Sequence, residues 1–433
     1  MTATELRAHL AAPVDAGSVA MFRRIFGALA LIATVRFVAI GDIETFYTAP
    51  THFFHYAGFA WVKPWPGAGM YVHFAAMAVL AAMMIANRAP RFASGAFGLL
   101  FAYAHLIDKT NYLNHYYLVI CVCFVLTLLP APALRVRSTV PRWVVWLLRT
   151  QIGLVYVFGG IAKLKYDWLF EAQPMSIWLQ ANADFPLIGG LFTKSGTAFA
   201  FAWAGMLFDL TIVPLLLWGR TRAFAFAGVI LFHALTSRLF PLGMFPWIMI
   251  GCSLIFLPPD WPYRLLGRPA PLRTLPAARV GRRVPRILAV YIALQLLLPL
   301  RHFAYPGNML WTEQGFRFAW HVMLMEKDGS VLLHVREPAT NRHWDVRPGE
   351  YLTRYQTRMM ATQPDMILEL AHIVADDFRA RGVVDPIVTV DALVSLNGRR
   401  RARLIDPNVD LARESDGLLP ASWILPYPSE AQP

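Results

Sequence analysis

Apolar runs about 20 residues long recur along this chain, and that is the length an α-helix needs to cross the hydrocarbon of a bilayer. Nine such runs occupy roughly residues 19–40, 69–87, 94–108, 115–131, 143–164, 196–218, 222–239, 242–258 and 284–301. With 57% hydrophobic and only 15% charged residues, the chain has too little polar sequence for a soluble fold. A polytopic α-helical membrane bundle is predicted, in direct contact with the lipid bilayer.

Arginine placement gives the runs a direction. Arg88 and Arg91, then Arg135, Arg137 and Arg142, then Arg220 and Arg222, then Arg264, Arg268, Arg273, Arg279, Arg282, Arg283 and Arg286 fall in loops on one side of the bundle. The opposite loops are poor in Lys and Arg. Positive loops stay in the cytoplasm, so a nine-span chain starts there and ends on the other side. The predicted organisation is a cytoplasmic segment at 1–18, a transmembrane domain at 19–302 and an extracytoplasmic domain at 303–433, in the cell inner membrane. The formal charge of +13 belongs to these loops. No basic domain interleaved with aromatic residues is present, and no nucleic-acid partner is predicted. The segment 1–19 carries acids and a proline and lacks a signal-peptide pattern.

Beyond about residue 310 the sequence turns mixed and polar, and a small α+β domain is predicted. Alternating stretches at 317–324 and 330–335 flank Glu326-Lys-Asp-Gly329 and read as a hairpin. A helix at about 364–381 presents Met366, Ile367, Leu370, Ile373, Val374 and Phe378 as one apolar stripe. A second hairpin, 387–396 with 401–404, turns at Asn397-Gly398. Cys121, Cys123 and Cys252 all lie inside apolar runs, so neither a disulfide framework nor a CxxC site is indicated. No HExxH or carboxylate-pair spacing appears, and no metal is predicted.

The chemistry concentrates at one membrane face. In Val155-Tyr-Val-Phe-Gly-Gly-Ile-Ala-Lys163-Leu-Lys-Tyr-Asp-Trp168, Lys163 stands where a span leaves the hydrocarbon. Lost hydration there drives an ammonium toward its neutral form, which can act as a base. A snorkelling anchor is the other reading of the same residue. Asp108-Lys-Thr-Asn-Tyr-Leu-Asn-His115 joins the third and fourth spans on that face. His233 and Arg238 end the seventh span there, the turn at 240–245 opens the eighth, and Arg301 and His302 end the ninth. Each alone also reads as structural: a satisfied histidine for His115 or His233, a surface ion pair for Asp108 and Lys109. Their convergence on one leaflet favours a site. Arg36, Arg149 and Asp209 are charged residues inside spans, and internal pairing is expected for Arg149 and Asp209.

At these residues the chain resembles the vitamin K-dependent gamma-glutamyl carboxylases, whose membrane part is the horizontally transferred transmembrane domain. The matching pieces are Phe22-Arg-Arg-Ile-Phe-Gly27, Asp108 to His115 as quoted, Leu148-Arg-Thr-Gln-Ile152, the stretch ending at Trp168, Leu207-Phe-Asp-Leu210, Phe232-His233, Leu239-Phe-Pro-Leu-Gly-Met-Phe245, His302-Phe303, Trp311-Thr312, Trp320 and Asp406-Pro-Asn-Val-Asp410. They keep the family's order across nearly the whole chain.

The resemblance implies an enzyme that oxidises vitamin K hydroquinone, phylloquinol or menaquinol, with O2 to the epoxide. The strong base so formed takes a γ-proton from glutamate in a protein or peptide, which then adds CO2; no metal is implied. By the same resemblance Lys163 deprotonates the hydroquinone, and Asn114 and His115 lie beside the naphthoquinol. His233, Arg301, His302, Asp108, Lys109 and Trp311 are substrate-binding candidates. The family's lysine pair is Ala162-Lys163 here, its Asn after the Phe-His motif is Thr236, and a tyrosine before Trp320 is Phe318. The paired cysteines of animal members have no counterpart. The sequence ends at Pro433 where those members continue into a β-rich domain, so propeptide recognition is not carried over. Two alternatives remain: a quinol epoxidase without carboxylation, and a non-catalytic membrane binder of quinone or lipid.

Overall fold

The computed structural model describes residues 2–267 and 284–428; Arg268, Arg273, Arg279, Arg282 and Arg283 lie outside the described residues. Each of the nine apolar runs is helical: α1 (Gly17–Ala39), α2 (Gly69–Ala86), α3 (Pro90–Leu106), α4 (Asn114–Leu128), α5 (Arg142–Ala162), α6 (Ser195–Leu217), α7 (Arg222–Leu239), α8 (Phe245–Ser253) and α9 (Val284–Leu297). Single 3-10 segments extend α8 (Leu254–Phe256) and α9 (Leu298–Ala304). Six of these helices, α1, α2, α5, α6, α7 and Arg286–Ala304, are long and apolar enough to cross a membrane. Local chemistry sets several ends. α2 stops at Asn87, whose φ of 54° is left-handed, and Pro90 opens α3 where a missing N–H costs nothing.

Arginines at one end of the bundle do more than set charge. Arg23, 1% exposed, donates to the Leu126 carbonyl (2.9 Å) in the last turn of α4, and also to the Pro90 carbonyl (3.1 Å) and Ser94 Oγ (2.9 Å) in the first turns of α3. Arg91 donates to Thr127 (2.8 Å), Arg222 to Leu216 and Leu217 (both 2.9 Å), and Arg149 to Ile255, Phe256 and Leu257 (3.0, 3.3 and 3.1 Å). The last carbonyls of a helix have no partner of their own and carry partial negative charge, so a guanidinium satisfies both needs. Arg149 is therefore bound to carbonyls and not to Asp209.

The C-terminal part carries a four-stranded antiparallel sheet: β1 (Lys327–Arg336), β2 (His343–Val346), β3 (Ile387–Leu396) and β4 (Ala402–Arg403), in the order β2-β1-β3-β4. Helix α10 (Pro364–Ala380) buries Met366, Ile367, Leu370, Val374 and Phe378 in its core, each worth on the order of 1.5–3 kcal/mol. The Asn397-Gly398 turn forms as expected, with φ of 52° and 76° at its two residues.

The hairpin expected around Glu326-Lys-Asp-Gly329 does not form. β1 starts at Lys327 and pairs with β3 over ten residues, from Lys327↔Leu396 to Arg336↔Ile387. Residues 317–324 instead pass through left-handed conformations at Phe318, Trp320 and Met323 (φ 64°, 58° and 52°). The cause is aromatic packing onto the helices. Phe318 lies edge-on to Tyr112 and Tyr117 (5.2 and 5.1 Å between centroids), and Trp320 sits 4.8 Å from Tyr117. A strand would have turned alternate rings away.

Two sets of charges clamp this domain to the helices. Lys109 Nζ donates to Asp365 (2.9 Å) and lies 3.1 Å from Glu369, while Arg317 also donates to Asp365 (2.8 Å). On the other side Arg399 forks onto Asp167 (2.6 and 2.7 Å) and reaches Glu171 (2.8 Å), and Asn397 donates to Asp167 (2.8 Å). Asp108 joins the first set by accepting from Thr110 N–H and Gln356 Nε2, both at 2.8 Å. Burial alone would raise Asp365, but Arg317 and Lys109 hold it well below the ordinary carboxylate range. Burial pushes Asp108 up to about 6, against its two hydrogen bonds and with help from the Glu369 charge.

Folded Asp108 thus holds its proton more tightly than an unfolded carboxyl near 3.8. Its contribution to stability is greatest below about pH 4, declines from about pH 4 to 6 and is flat above. The difference is on the order of 3 kcal/mol. Asp108→Asn is expected to remove that decline when thermal midpoints in detergent are followed from pH 4 to 8; parallel curves for the two proteins would mean that Asp108 does not titrate in the fold.

Candidate active site

One glycine, Gly160, brings α5 and α6 together. A Cβ at Gly160 would stand 2.8 Å from Leu210 Cδ2 and 3.0 Å from the Leu210 backbone nitrogen, so only glycine permits this approach. Asp209 on α6 then reaches across to Lys163, the residue that ends α5. Lys163 Nζ donates to Asp209 Oδ2 at 2.8 Å and to the Gly159 carbonyl at 3.1 Å, and lies 5.4 Å from the Trp168 ring centroid. The two side chains are 6% and 8% exposed as residues. The amine expected from sequence without a partner is in the structure one half of a hydrogen-bonded pair. A charge among apolar helices is stable only with a partner, and Asp209 is that partner.

The pair opens on a cavity of about 390 Å3 whose lining includes Gly159, Trp168, Phe201, Phe232, Leu235 and Met249. His233 lines the same cavity and is held from behind: its Nε2 is 3.0 Å from Tyr156 Oη, which is 3.1 Å from Ser253 Oγ. Polar groups therefore occupy one part of an otherwise apolar wall.

A second cavity of about 420 Å3 lies next to it and is lined by Asn114 and His115, with Arg36 and Asp42 also on its wall. Leu242, Phe245, Val322 and Met323 line both cavities. The Phe245 ring stands between the two histidines, 5.8 Å from His115 and 6.0 Å from His233. Asn114 is fixed by Tyr112 Oη donating to its Oδ1 (3.0 Å) and by its own Nδ2 donating to the His321 carbonyl (2.8 Å). Among the described residues the His115 ring makes no hydrogen bond, and it rests against Tyr116 (4.7 Å) and Phe245.

Of the nine residues named from sequence as catalytic or substrate-binding candidates, Lys163 and His233 share one cavity and Asn114 and His115 the other. The remaining five line neither. Asp108 and Lys109 are built into the domain clamp. Trp311 is fully buried in the C-terminal core, donating from Nε1 to the Leu425 carbonyl (2.8 Å) and lying edge-on to Tyr427 (4.7 Å). Arg301 donates to the Arg317 carbonyl (2.6 Å), and His302 Nδ1 is 2.8 Å from the Pro299 carbonyl. Sequence reasoning marked Asp209 as an unusual acid but did not join it to Lys163. Tyr156 and Phe245 carried no signal that set them apart from the aromatic background. Among the described residues no group of three or more His, Cys, Asp or Glu is placed to hold a metal.

Residues 11–261 match the HTTM domain family, and residues 282–430 match the vitamin K-dependent gamma-carboxylase lumenal domain. No solved structure matches the chain. The first match covers more than half of the sequence and contains both cavities' helices; the second follows it in order and contains the sheet clamped over them. The chain therefore belongs to the vitamin K-dependent gamma-glutamyl carboxylase family, an HTTM domain followed by a domain of the lumenal type.

Proposed function

We propose that this chain is an integral membrane enzyme that couples O2-dependent epoxidation of a vitamin K-type hydroquinone to γ-carboxylation of glutamate in a protein or peptide. The observation that carries the reading is the Lys163–Asp209 pair facing an apolar cavity. A flat reduced naphthoquinone suits such a cavity, whose volume falls within the usual range for small-molecule sites, ~300–1,000 Å3. When bound, it supplies with O2 the strong base that removes the glutamate γ-proton, after which CO2 is taken up. In this reading the bundle has nine spans, the N-terminus is cytoplasmic, and the C-terminal domain and both cavities face the extracytoplasmic side of the cell inner membrane.

The chain's own contribution is to move one proton. As drawn by its hydrogen bond, the pair shares a proton between Nζ and Oδ2, so it has two forms of equal net charge: ammonium with carboxylate, or amine with carboxylic acid. In the second form Nζ has a lone pair and can accept a phenolic proton. The pair then carries one positive charge, placed in a cavity of low dielectric where it acts strongly. Asp209 is thus the proton acceptor that frees Lys163 to act as the base. Asn114 and His115 act from the adjoining cavity, and the Phe245 ring must yield for one ligand to touch both groups.

Lys163→Ala/Asp209→Asn removes the base without stranding a charge, and epoxide formation is expected to fall by at least about 100-fold; near-normal epoxide from purified protein, reduced menaquinone or phylloquinone and oxygen would remove Lys163 from the mechanism. The second half-reaction is tested separately, with a Glu-containing peptide and labelled bicarbonate: acid-labile label is expected in the peptide. Epoxide without label would leave an epoxidase alone, and a quinone complex unchanged by O2 would make the chain a binder. The pair itself is tested by stability. Lys163→Met strands a buried carboxylate and is expected to cost about 3–5 kcal/mol, whereas Lys163→Met/Asp209→Leu regains most of it. Thermal inactivation in detergent measures this, and a double variant no more stable than the single one would show that the two groups are not coupled.

A further inference from the structure

Leu418 and Leu419 stand side by side on the C-terminal domain, 90% and 82% exposed, in the loop Gly417-Leu-Leu-Pro420. A single exposed leucine needs no explanation, but a fully exposed pair continuous with other apolar surface marks an interaction site. The loop is held at both ends. On one side the His372 ring on α10 has Nε2 2.9 Å from the Glu414 carbonyl and 3.0 Å from that of Leu411. On the other, Asp406 N–H donates to the Trp423 carbonyl (3.0 Å) and Leu425 N–H to the Leu404 carbonyl (2.9 Å). The two leucines are thus displayed on anchored backbone and not on a frayed end.

Contacts also fix the height of the loop. The end of the sheet at Leu396 and Asn397 is the one turned toward the helices, because Asn397 donates to Asp167 there. Arg413 pairs with Asp385 (2.7 Å), just before the start of β3 at Ile387 and so at the opposite end. From Arg413 the chain runs back toward the bundle. Gln314 Nε2 donates to the Leu419 carbonyl (3.5 Å), and the neighbouring Gly315 is pressed so closely on the end of the ninth span that a Cβ there would stand 2.7 Å from His302 Cα. His302 and Phe303 belong to the last turn of the segment Arg286–Ala304, which is long and apolar enough to cross a membrane. The surface met at this point is already apolar. Ile287, Val290, Leu294 and Leu297 are exposed at helical spacing along α9, and Leu300 (46%) and Phe303 (78%) carry that stripe to its end.

We propose that the Leu418-Leu419 loop dips into the outer edge of the lipid bilayer beside the ninth span, so that the C-terminal domain grips the membrane itself as well as the helices. Lipid is the occupant because the pair lies where the exposed stripe of α9 leaves the hydrocarbon, and acyl chains that cover Phe303 continue over the leucines. Gly417 and Pro420 bracket the pair, and the tip carries no charge between them to oppose entry. The ionic clamps hold the domain through Asp365 and Asp167, and the leucine loop adds an attachment that salt does not weaken. The proposal rests on the chain being a membrane protein and is independent of the reaction proposed above.

The test places a polarity-sensitive fluorophore on Leu418→Cys and, separately, on Leu419→Cys in the full chain, reconstituted in phosphatidylcholine vesicles. Cys121, Cys123 and Cys252 are buried, and the native chain treated in the same way gives the background. Both positions are open in the fold, so neither change removes packing. Val384→Cys is the control: it is an apolar residue 68% exposed, near the end of the sheet turned away from the helices. Labels at 418 and 419 are expected to emit at shorter wavelength than the control and to lose at least about half of their emission to a phospholipid spin-labelled near its headgroup, while dissolved iodide quenches the control far more than either. Labels at 418 and 419 that iodide quenches as strongly as the control show a loop in water and overturn the proposal. Labels shielded from both quenchers show a protein cover, a second copy or another partner, and overturn it as well.

Discussion

A buried ammonium needs a counter-charge, and that requirement organises the centre of this protein. Lys163 ends α5 among apolar side chains, so its nitrogen is held by the one carboxylate that α6 delivers, with the Gly159 carbonyl as second acceptor. Arg23 and Arg149 also lie among helices, and they spend their donors on neutral oxygens, Arg23 on the Pro90 and Leu126 carbonyls and Ser94 Oγ, Arg149 on the carbonyls of residues 255–257. What differs at Lys163 is that its partner can take a proton, whereas a carbonyl cannot.

The C-terminal domain is part of the same construction. Its 317–324 segment gives up strand pairing to lay Phe318 and Trp320 on the helices, and Val322 and Met323 from that segment complete the walls of both cavities. The ionic clamps through Asp365 and Asp167 hold it there. Lys109, Arg317 and Arg399 contribute to the site by holding its roof, without touching either cavity.

Much of this was legible in the sequence because membrane helices obey a simple rule of length and composition. All nine runs are helices, and their predicted ends fall within a few residues of those observed. The α10 stripe and the Asn397-Gly398 turn were equally plain, since each rests on local chemistry. The hairpin at Glu326 failed because alternation was read locally, while the rings of Phe318 and Trp320 answer to helices some 200 residues away in sequence (Phe318 N–H donates to Tyr112 Oη). Asp108 and Lys109 share a loop with Asn114 and His115, and nothing in that loop says which pair turns toward the cavity and which toward the domain above. The Lys163–Asp209 pair joins residues on two helices, and no spacing rule links them.

The separation of the two helices also has an evolutionary side. With Gly160 pressed against Leu210, the reach of the carboxylate to the amine is governed by a position that carries no functional group at all. A single added methyl would press on Leu210 and force the helices apart, although the sequence would keep both ionisable residues. Relatives that keep the lysine and the aspartate but lose this glycine are therefore the ones in which the pair must have been rebuilt or abandoned.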